Sequence, residues 1–213
     1  MKTIKIRVGV DEAGRGCLAG PVVVAAALIP NDFKKPADLP QLKDSKKMTC
    51  LQREEWQKWI KEKGKYFGVY VAVSFVMPST IDKVNITKAA NLAAWRSLQK
   101  LLALQKYTTA QIILDGGLFL KNRTFQKIIN QQQSKDLFAE TIIKADTKFV
   151  EVQLAAISAK TARDDYMRRL ATKYPEFGFE THKGYGTKHH IKIIKKRGTI
   201  EGLHRQTFLK NCK

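Results

Sequence analysis

The strongest constraint on this chain is a pattern used three times, a short apolar run that closes on an acid. Residues 4–11 (IKIRVGVD) alternate apolar and polar side chains and end at Asp11. Residues 111–115 (QIILD) end at Asp115 before Gly116 and Gly117, and residues 141–146 (TIIKAD) end at Asp146. Alternation with period two, or a short apolar run bounded by turn residues, is a strand signal. Residues 22–29 (VVVAAALI) between Pro21 and Pro30, and residues 66–76 (YFGVYVAVSFV) ahead of Pro78, supply two more strands. The first two should pair as a hairpin.

Helical periodicity fills the intervals. Leu51, Trp56, Trp59 and Ile60 mark a helix over residues 51–62, and Ala89, Leu92, Ala93, Leu98, Leu101 and Leu102 mark one face of a long helix over 81–104. Residues 147–173 are rich in alanine and helical in period, with side chains small enough for close approach to a neighbouring backbone. A last short helix is expected over 190–196. Residues 31–47 read as a loop, and residues 121–135 as an exposed connection. The expected class is therefore α/β, a sheet flanked by helices, with no internal repeat.

In such sheets, ligands gather where strands end and loops leave the sheet. A lone acid there is readily explained as a turn cap. Three together point to a common centre, and bringing carboxylates together without a cation is unfavourable, because like charges raise one another's pKa. An all-oxygen donor set favours hard Mg²⁺ or Mn²⁺ over Zn²⁺.

The charge balance indicates the partner. Against 39 Lys and Arg stand 19 Asp and Glu, a net charge of +20, which favours a polyanion such as nucleic acid. A basic protein with an acidic metal centre suits phosphodiester chemistry, in which two ions activate water and stabilise the departing oxygen. A basic nucleic-acid-binding protein without catalysis accounts for the charge but not for the repeated acids. The sequence offers no run of roughly 18 apolar residues to span a bilayer and no apolar core of a signal peptide, so a cytoplasmic protein without membrane association is expected. Cys17, Cys50 and Cys212 lack ligand or disulfide spacing and read as ordinary thiols.

Seven segments, DEAGRGCLAGPVVVAAALI, LKDSKK, ILDGG, IIKAD, AKTARDDYM, HKGYGT and HRQTF, resemble in order the motifs of the type 2 ribonuclease H family, from about Val8 to Phe208. The resemblance implies an RNase H-like mixed β-sheet flanked by helices, with a catalytic core over residues 1–172. A small helical C-terminal extension over 173–213 would contact substrate, packed separately or as part of one domain. It implies hydrolysis of the RNA strand of RNA/DNA hybrids and cutting 5′ of ribonucleotides embedded in duplex DNA, leaving 3′-hydroxyl and 5′-phosphate ends. The associated roles are ribonucleotide excision repair and RNA primer processing.

By position, the resemblance makes Asp11, Glu12, Asp115 and Asp146 the catalytic carboxylates and ligands of two Mg²⁺ or Mn²⁺ ions, with Asp11 shared. Gly14, Arg15 and Gly16 would approach the sugar and phosphate. Tyr185 would stack on the sugar after the ribonucleotide and reach its 2′-hydroxyl, the group that separates RNA from DNA. Lys46, Lys47 and Lys183 would contact phosphate. Asp11 and Glu12 are neighbours, so they can serve one centre only if the strand ends or bends there. Arg163 and Asp164 read as an internal helix salt bridge or cap, and His182, His189, His190 and His204 as structural or substrate-side groups.

The chain departs from the family in two places. Gly186 stands where the family commonly has Pro after the tyrosine, and Ile157 follows Ala155 and Ala156 where a serine is usual. The related type 3 enzymes carry an N-terminal platform domain and commonly Lys in the GRG motif; DEAGRG beginning at residue 11 and Arg15 favour type 2. The QTFLKNCK end lacks a convincing aromatic clamp-binding box, so no protein partner is required and a monomer is expected.

Overall fold

The computed structural model describes residues 5–104, 109–120 and 136–210. Among these described residues five strands form one mixed sheet: β1 (Lys5–Ala13), β2 (Val22–Pro30), β3 (Tyr70–Val76), β4 (Thr109–Asp115) and β5 (Asp136–Ile142), in the order β3-β2-β1-β4-β5. β1, β2 and β3 pair antiparallel as a meander, and β4 and β5 continue parallel to β1. Among the described residues the helices are α1 (Cys50–Glu62), α2 (Pro78–Val84), α3 (Ile86–Leu102), α4 (Val150–Lys173), α5 (Phe179–His182), α6 (Lys188–Arg197) and α7 (Gln206–Leu209).

β2 is apolar throughout because it is covered on both faces. Val22, Val24, Ala26 and Leu28 join the core under α3, where Leu98, Leu101 and Leu102 are buried, each of these large side chains stabilising by about 1.5–3 kcal/mol. Ala25, Ala27 and Ile29 point the other way, into the core with Trp56 and Trp59 of α1 and Leu154 and Ile157 of α4. α4 lies so close to β1 that a Cβ on Gly9 would stand 2.2 Å from the backbone of Glu151 and Val152. The small residue that permits this approach is on the strand as well as on the alanine-rich helix.

Several boundaries differ from the sequence expectation. The long helix is broken at Asn85, whose φ of 71° ends α2 and whose side chain then caps α3 by accepting from the Lys88 amide. The third strand starts at Tyr70, because Tyr66 and Phe67 lie in a 3-10 turn (Gly64–Phe67) ended by left-handed Gly68. β5 stops at Ile142, so Asp146 is in a 3-10 turn (Ala145–Thr147) beyond the strand, and α4 begins only at Val150. β1 continues two residues past Asp11, pairing with β2 as far as Ala13. The connection over residues 121–135 and Cys212 lie outside the described residues.

After α4 the chain returns to the β1–β2 connection. Leu18 and Ala19 amides donate to Gly184 O at 2.9 and 3.2 Å, Gly20 N to Leu203 O at 2.9 Å and Arg205 N to Leu18 O at 2.8 Å. Asp82 then fixes α7 by accepting from the amides of Gln206 and Thr207. Among the described residues, no helix is long and apolar enough to cross a membrane.

Candidate active site

The parallel pairing of β1 with β4 ends at Val10 opposite Leu114, while β1 runs on against β2. Beyond Val10 one edge of β1 is therefore open, and a cleft of about 180 Å³ forms there. That opening resolves the adjacency problem without ending the strand. Asp11 and Glu12 both line the cleft, with Asp115 at the end of β4 and Asp146 on the turn after β5.

Each acid is held by local backbone. Asp11 Oδ1 accepts the Glu12 amide at 2.7 Å, and Asp115 Oδ1 accepts the Ala145 amide at 2.6 Å and the Asp146 amide at 3.4 Å. Glu12 Oε1 accepts from Arg15 Nη1 at 3.3 Å, whereas Glu12 Oε2 is buried without a hydrogen-bond partner among the described residues. Arg15 also donates through Nη2 to Thr87 Oγ1 at 3.2 Å, which ties the loop after β1 to the start of α3.

The electrostatics reflect crowding of like charge. Burial, then the charges of Glu12, Asp115 and Asp146, hold the Asp11 carboxyl well above the usual carboxylate range. Burial raises Glu12 against the opposing pull of Arg15, and burial followed by Asp115 raises Asp146. No three His, Cys, Asp or Glu side chains among the described residues close on one point as a finished metal cage. The donor set nevertheless fits hard divalent cations: its members are all oxygens, they repel one another, and one buried oxygen lacks a partner.

The other expected residues divide. Gly14, Arg15, Gly16, Lys46 and Tyr185 line the same cleft. Gly14 must be glycine, since its φ is +88° and a Cβ would meet Arg163 Nε at 2.0 Å. Gly16 has nothing within 4 Å of the corresponding position, so space is open above it. Lys47 is exposed beside Lys46, and Lys183 directs its ammonium to Glu180 O at 2.7 Å, so neither belongs to the cleft lining.

Other groups had no signal of their own in the sequence. Lys160 and Ser45 line the cleft, Lys160 steadied by Asp164 at 2.6 Å. Arg163 and Asp164 do not form the salt bridge expected of neighbours on a helix. Adjacent helical residues face different directions. Arg163 is buried and donates to Ala19 O and Pro21 O with its guanidinium 5.7 Å from the Tyr185 ring, while Asp164 pairs with Arg53 and Lys160. His182, His190 and His204 are buried together behind Tyr185. Ile157 is buried, and Ser158 next to it bonds Leu154 O and Gln57, inside the α1–α4 interface.

The family model for ribonuclease HII matches residues 8–211. A ribonuclease HII from Fusobacterium nucleatum is 42% identical over 203 residues, 95% of this chain and 85% of that one. Among solved structures, ribonuclease H2 from Pyrococcus horikoshii OT3 is similar with a TM-score of 0.70 and 27% identity, over 97% of this chain and 96% of that one. A structure of the PCNA:RNase HII complex from Archaeoglobus fulgidus is similar with a TM-score of 0.65 and 25% identity, over 94% of each chain. The order of strands, the acids at the open edge of β1 and these likenesses lead to one assignment: the chain belongs to the ribonuclease HII family.

Proposed function

We propose that the chain is a ribonuclease H that hydrolyses the RNA strand of RNA/DNA hybrids and cuts on the 5′ side of a ribonucleotide embedded in duplex DNA. The products carry 3′-hydroxyl and 5′-phosphate ends. The observation that carries this reading is the meeting of Asp11, Glu12, Asp115 and Asp146 in one cleft with the Gly14–Gly16 loop and Tyr185. Family membership supports the ribonuclease H activity, and the net charge of +20 supports a polyanionic substrate.

Asp11, Glu12, Asp115 and Asp146 would hold two divalent cations, Mg²⁺ or Mn²⁺, which when bound supply an activated water and stabilisation of the leaving 3′-oxygen. The remaining groups bind and orient. Lys46 and Arg15 place positive charge at the rim for phosphate, fixing register without reading sequence. Open space above Gly16 admits the sugar, and Tyr185 presents a half-exposed ring to the adjacent nucleotide. Residues 1–172 carry the chemistry in this reading, and residues 173–213 supply substrate contacts.

Ribonucleotide excision repair and primer processing, by a monomer in the cytoplasm, are the roles that follow from such an activity. The PCNA partner belongs to the Archaeoglobus relative. Here the aromatic residue of the tail, Phe208, packs against the core beneath α3. Incubation with a duplex bearing one ribonucleotide, with and without Mg²⁺ or Mn²⁺, tests the activity. A nick that needs both the metal and the 2′-hydroxyl is expected; binding without a nick under any divalent condition sinks the reading.

A further inference from the structure

His204 and Arg205 are neighbours in the chain, fully or almost fully buried, and each reaches a different wall of the cleft. Arg205 spends its guanidinium on carbonyl oxygens: Nε and Nη2 donate to Gly20 O at 3.0 and 2.8 Å, Nη1 to Arg15 O at 2.9 Å, and Nη2 also to Gly14 O at 2.7 Å. In a trans peptide the carbonyl and the following amide point opposite ways, and no described peptide is cis. Turning the Gly14 and Arg15 carbonyls inward to Arg205 therefore turns the Arg15 and Gly16 amides outward, to the cleft side. The guanidinium holds its donors in a fixed planar fork, and here that fork serves the carbonyls of Gly14, Arg15 and Gly20 at once.

His204 reaches the opposite wall through a second histidine. Its Nδ1 accepts the Ile200 amide at 2.9 Å, so its proton is on Nε2, which faces His190 Nε2 at 3.2 Å. His190 must accept there, leaving its own proton on Nδ1 for Tyr185 O at 2.8 Å. Each ring is neutral and each hydrogen has one destination. The relay ends on the backbone of the residue whose ring lines the cleft, while the His204 backbone bridges Ala19 in the connection after the GRG loop.

We propose that His204 and Arg205 are positioning residues that together set the spacing between the Arg15 and Gly16 amides and Tyr185, and through it the ability to act on a single ribonucleotide. The inference rests on the proposed ribonuclease activity. A lone ribonucleotide offers one 2′-hydroxyl, so a misplaced wall cannot be compensated by a shift in register. A continuous hybrid offers a hydroxyl at every step of its RNA strand.

The test compares kcat/KM on a duplex with one ribonucleotide and on a continuous hybrid. In Arg205→Lys and His204→Asn the ratio of the two should fall about tenfold, the scale of one lost oriented hydrogen bond. In a Tyr185→Ala background, His204→Asn should change that ratio no further. Equal losses on both substrates, or an undiminished effect of His204→Asn without the Tyr185 ring, overturn the proposal. Should the variants not fold, ¹⁵N-edited NMR of the wild-type chain decides: the relay requires the proton on Nε2 of His204 and on Nδ1 of His190, and the opposite tautomer at either removes it. A wild-type chain that cuts neither duplex refutes the proposed activity, whereas one that cuts both while the variants keep its ratio refutes the positioning role alone.

Discussion

The Asp115 carboxylate is bonded to the Ala145 amide at 2.6 Å, so one acid of the cleft fixes the turn that carries another, Asp146. Asp115 is thus a cap and a cleft acid at once. An amide oxygen can replace the carboxylate in the first role but carries no charge for the second. Asp115→Asn should therefore melt within about 1 kcal/mol of wild type while turnover drops more than about 100-fold. Asp115→Ala should lose the cap too and cost about 1 kcal/mol or more of stability. Thermal denaturation and a cleavage assay on the same preparations check both; retained turnover in the Asn variant counts against the assignment.

Asp11 is buried beside other acids, and the metal-free fold bears that repulsion. Removing the charge relieves it, while an Asn oxygen can still accept the Glu12 amide. Asp11→Asn should raise the stability of the chelator-treated protein by roughly 1–2 kcal/mol and abolish cleavage, the exchange of stability for activity expected where a site gathers like charge. Added Mg²⁺ or Mn²⁺ should raise the melting temperature of wild type more than that of the variant. A variant less stable than wild type in chelator would show that the repulsion is already compensated.

Tyr185 is 43% exposed, and its ring meets the Arg163 guanidinium on one side. Truncation empties little of the core, so Tyr185→Ala should fold. Its cutting at a lone ribonucleotide should fall about tenfold more than its cutting of a continuous hybrid, because stacking on one sugar matters most where one sugar is read. Parallel steady-state measurements on the two duplexes decide, and equal losses would leave the ring without a junction role.

The two glycines of the GRG loop should separate folding from function. Gly14→Ala places a methyl group 2.0 Å from Arg163 Nε at a φ of +88°, costing about 1–3 kcal/mol. Gly16→Ala meets nothing within 4 Å and should melt like wild type, yet its methyl group enters the space proposed for the sugar. Cleavage should then fall by about tenfold or more through a raised KM. Unchanged kinetics in Gly16→Ala would mean that the substrate backbone passes elsewhere.

Asp11, Asp115 and Asp146 were legible because three apolar runs close on them, whereas Glu12, one residue past such a run, was reached only through the DEAGRG motif. The strand end inferred at Asp146 was not there: Lys144 adopts a left-handed conformation, with φ of 57°, that turns the chain before the acid. Such a conformation has no periodic signature when a lysine rather than a glycine takes it. Asn85, with φ of 71°, hid the break between α2 and α3 for the same reason. Arg163 and Arg205 were opaque because their partners are carbonyl oxygens more than 140 residues away in sequence, and a backbone acceptor leaves no mark on residue type.

The histidine cluster makes a pH prediction of definite sign. Burial first, then the charges of His182, His204 and His189, push His190 down to about 4 against the bond to Tyr185 O, and burial lowers His182 and His204 as well. The unfolded chain titrates near 6.5, so between about 4 and 6.5 it binds more protons than the fold, and acid draws the protein toward unfolding. For His190 alone the loss approaches about 3 kcal/mol and levels off below its folded pKa. Asp11, Glu12 and Asp146 act oppositely, since acids held above their ordinary range add stability as pH falls through their folded values. A difference measurement cancels them: the stability that wild type holds over His190→Gln in urea should shrink as pH is lowered from 7 to about 4.5. A difference that stays constant over that interval, or His190 ring resonances that titrate near 6.5, would show that the buried ring accepts a proton as readily as a free one.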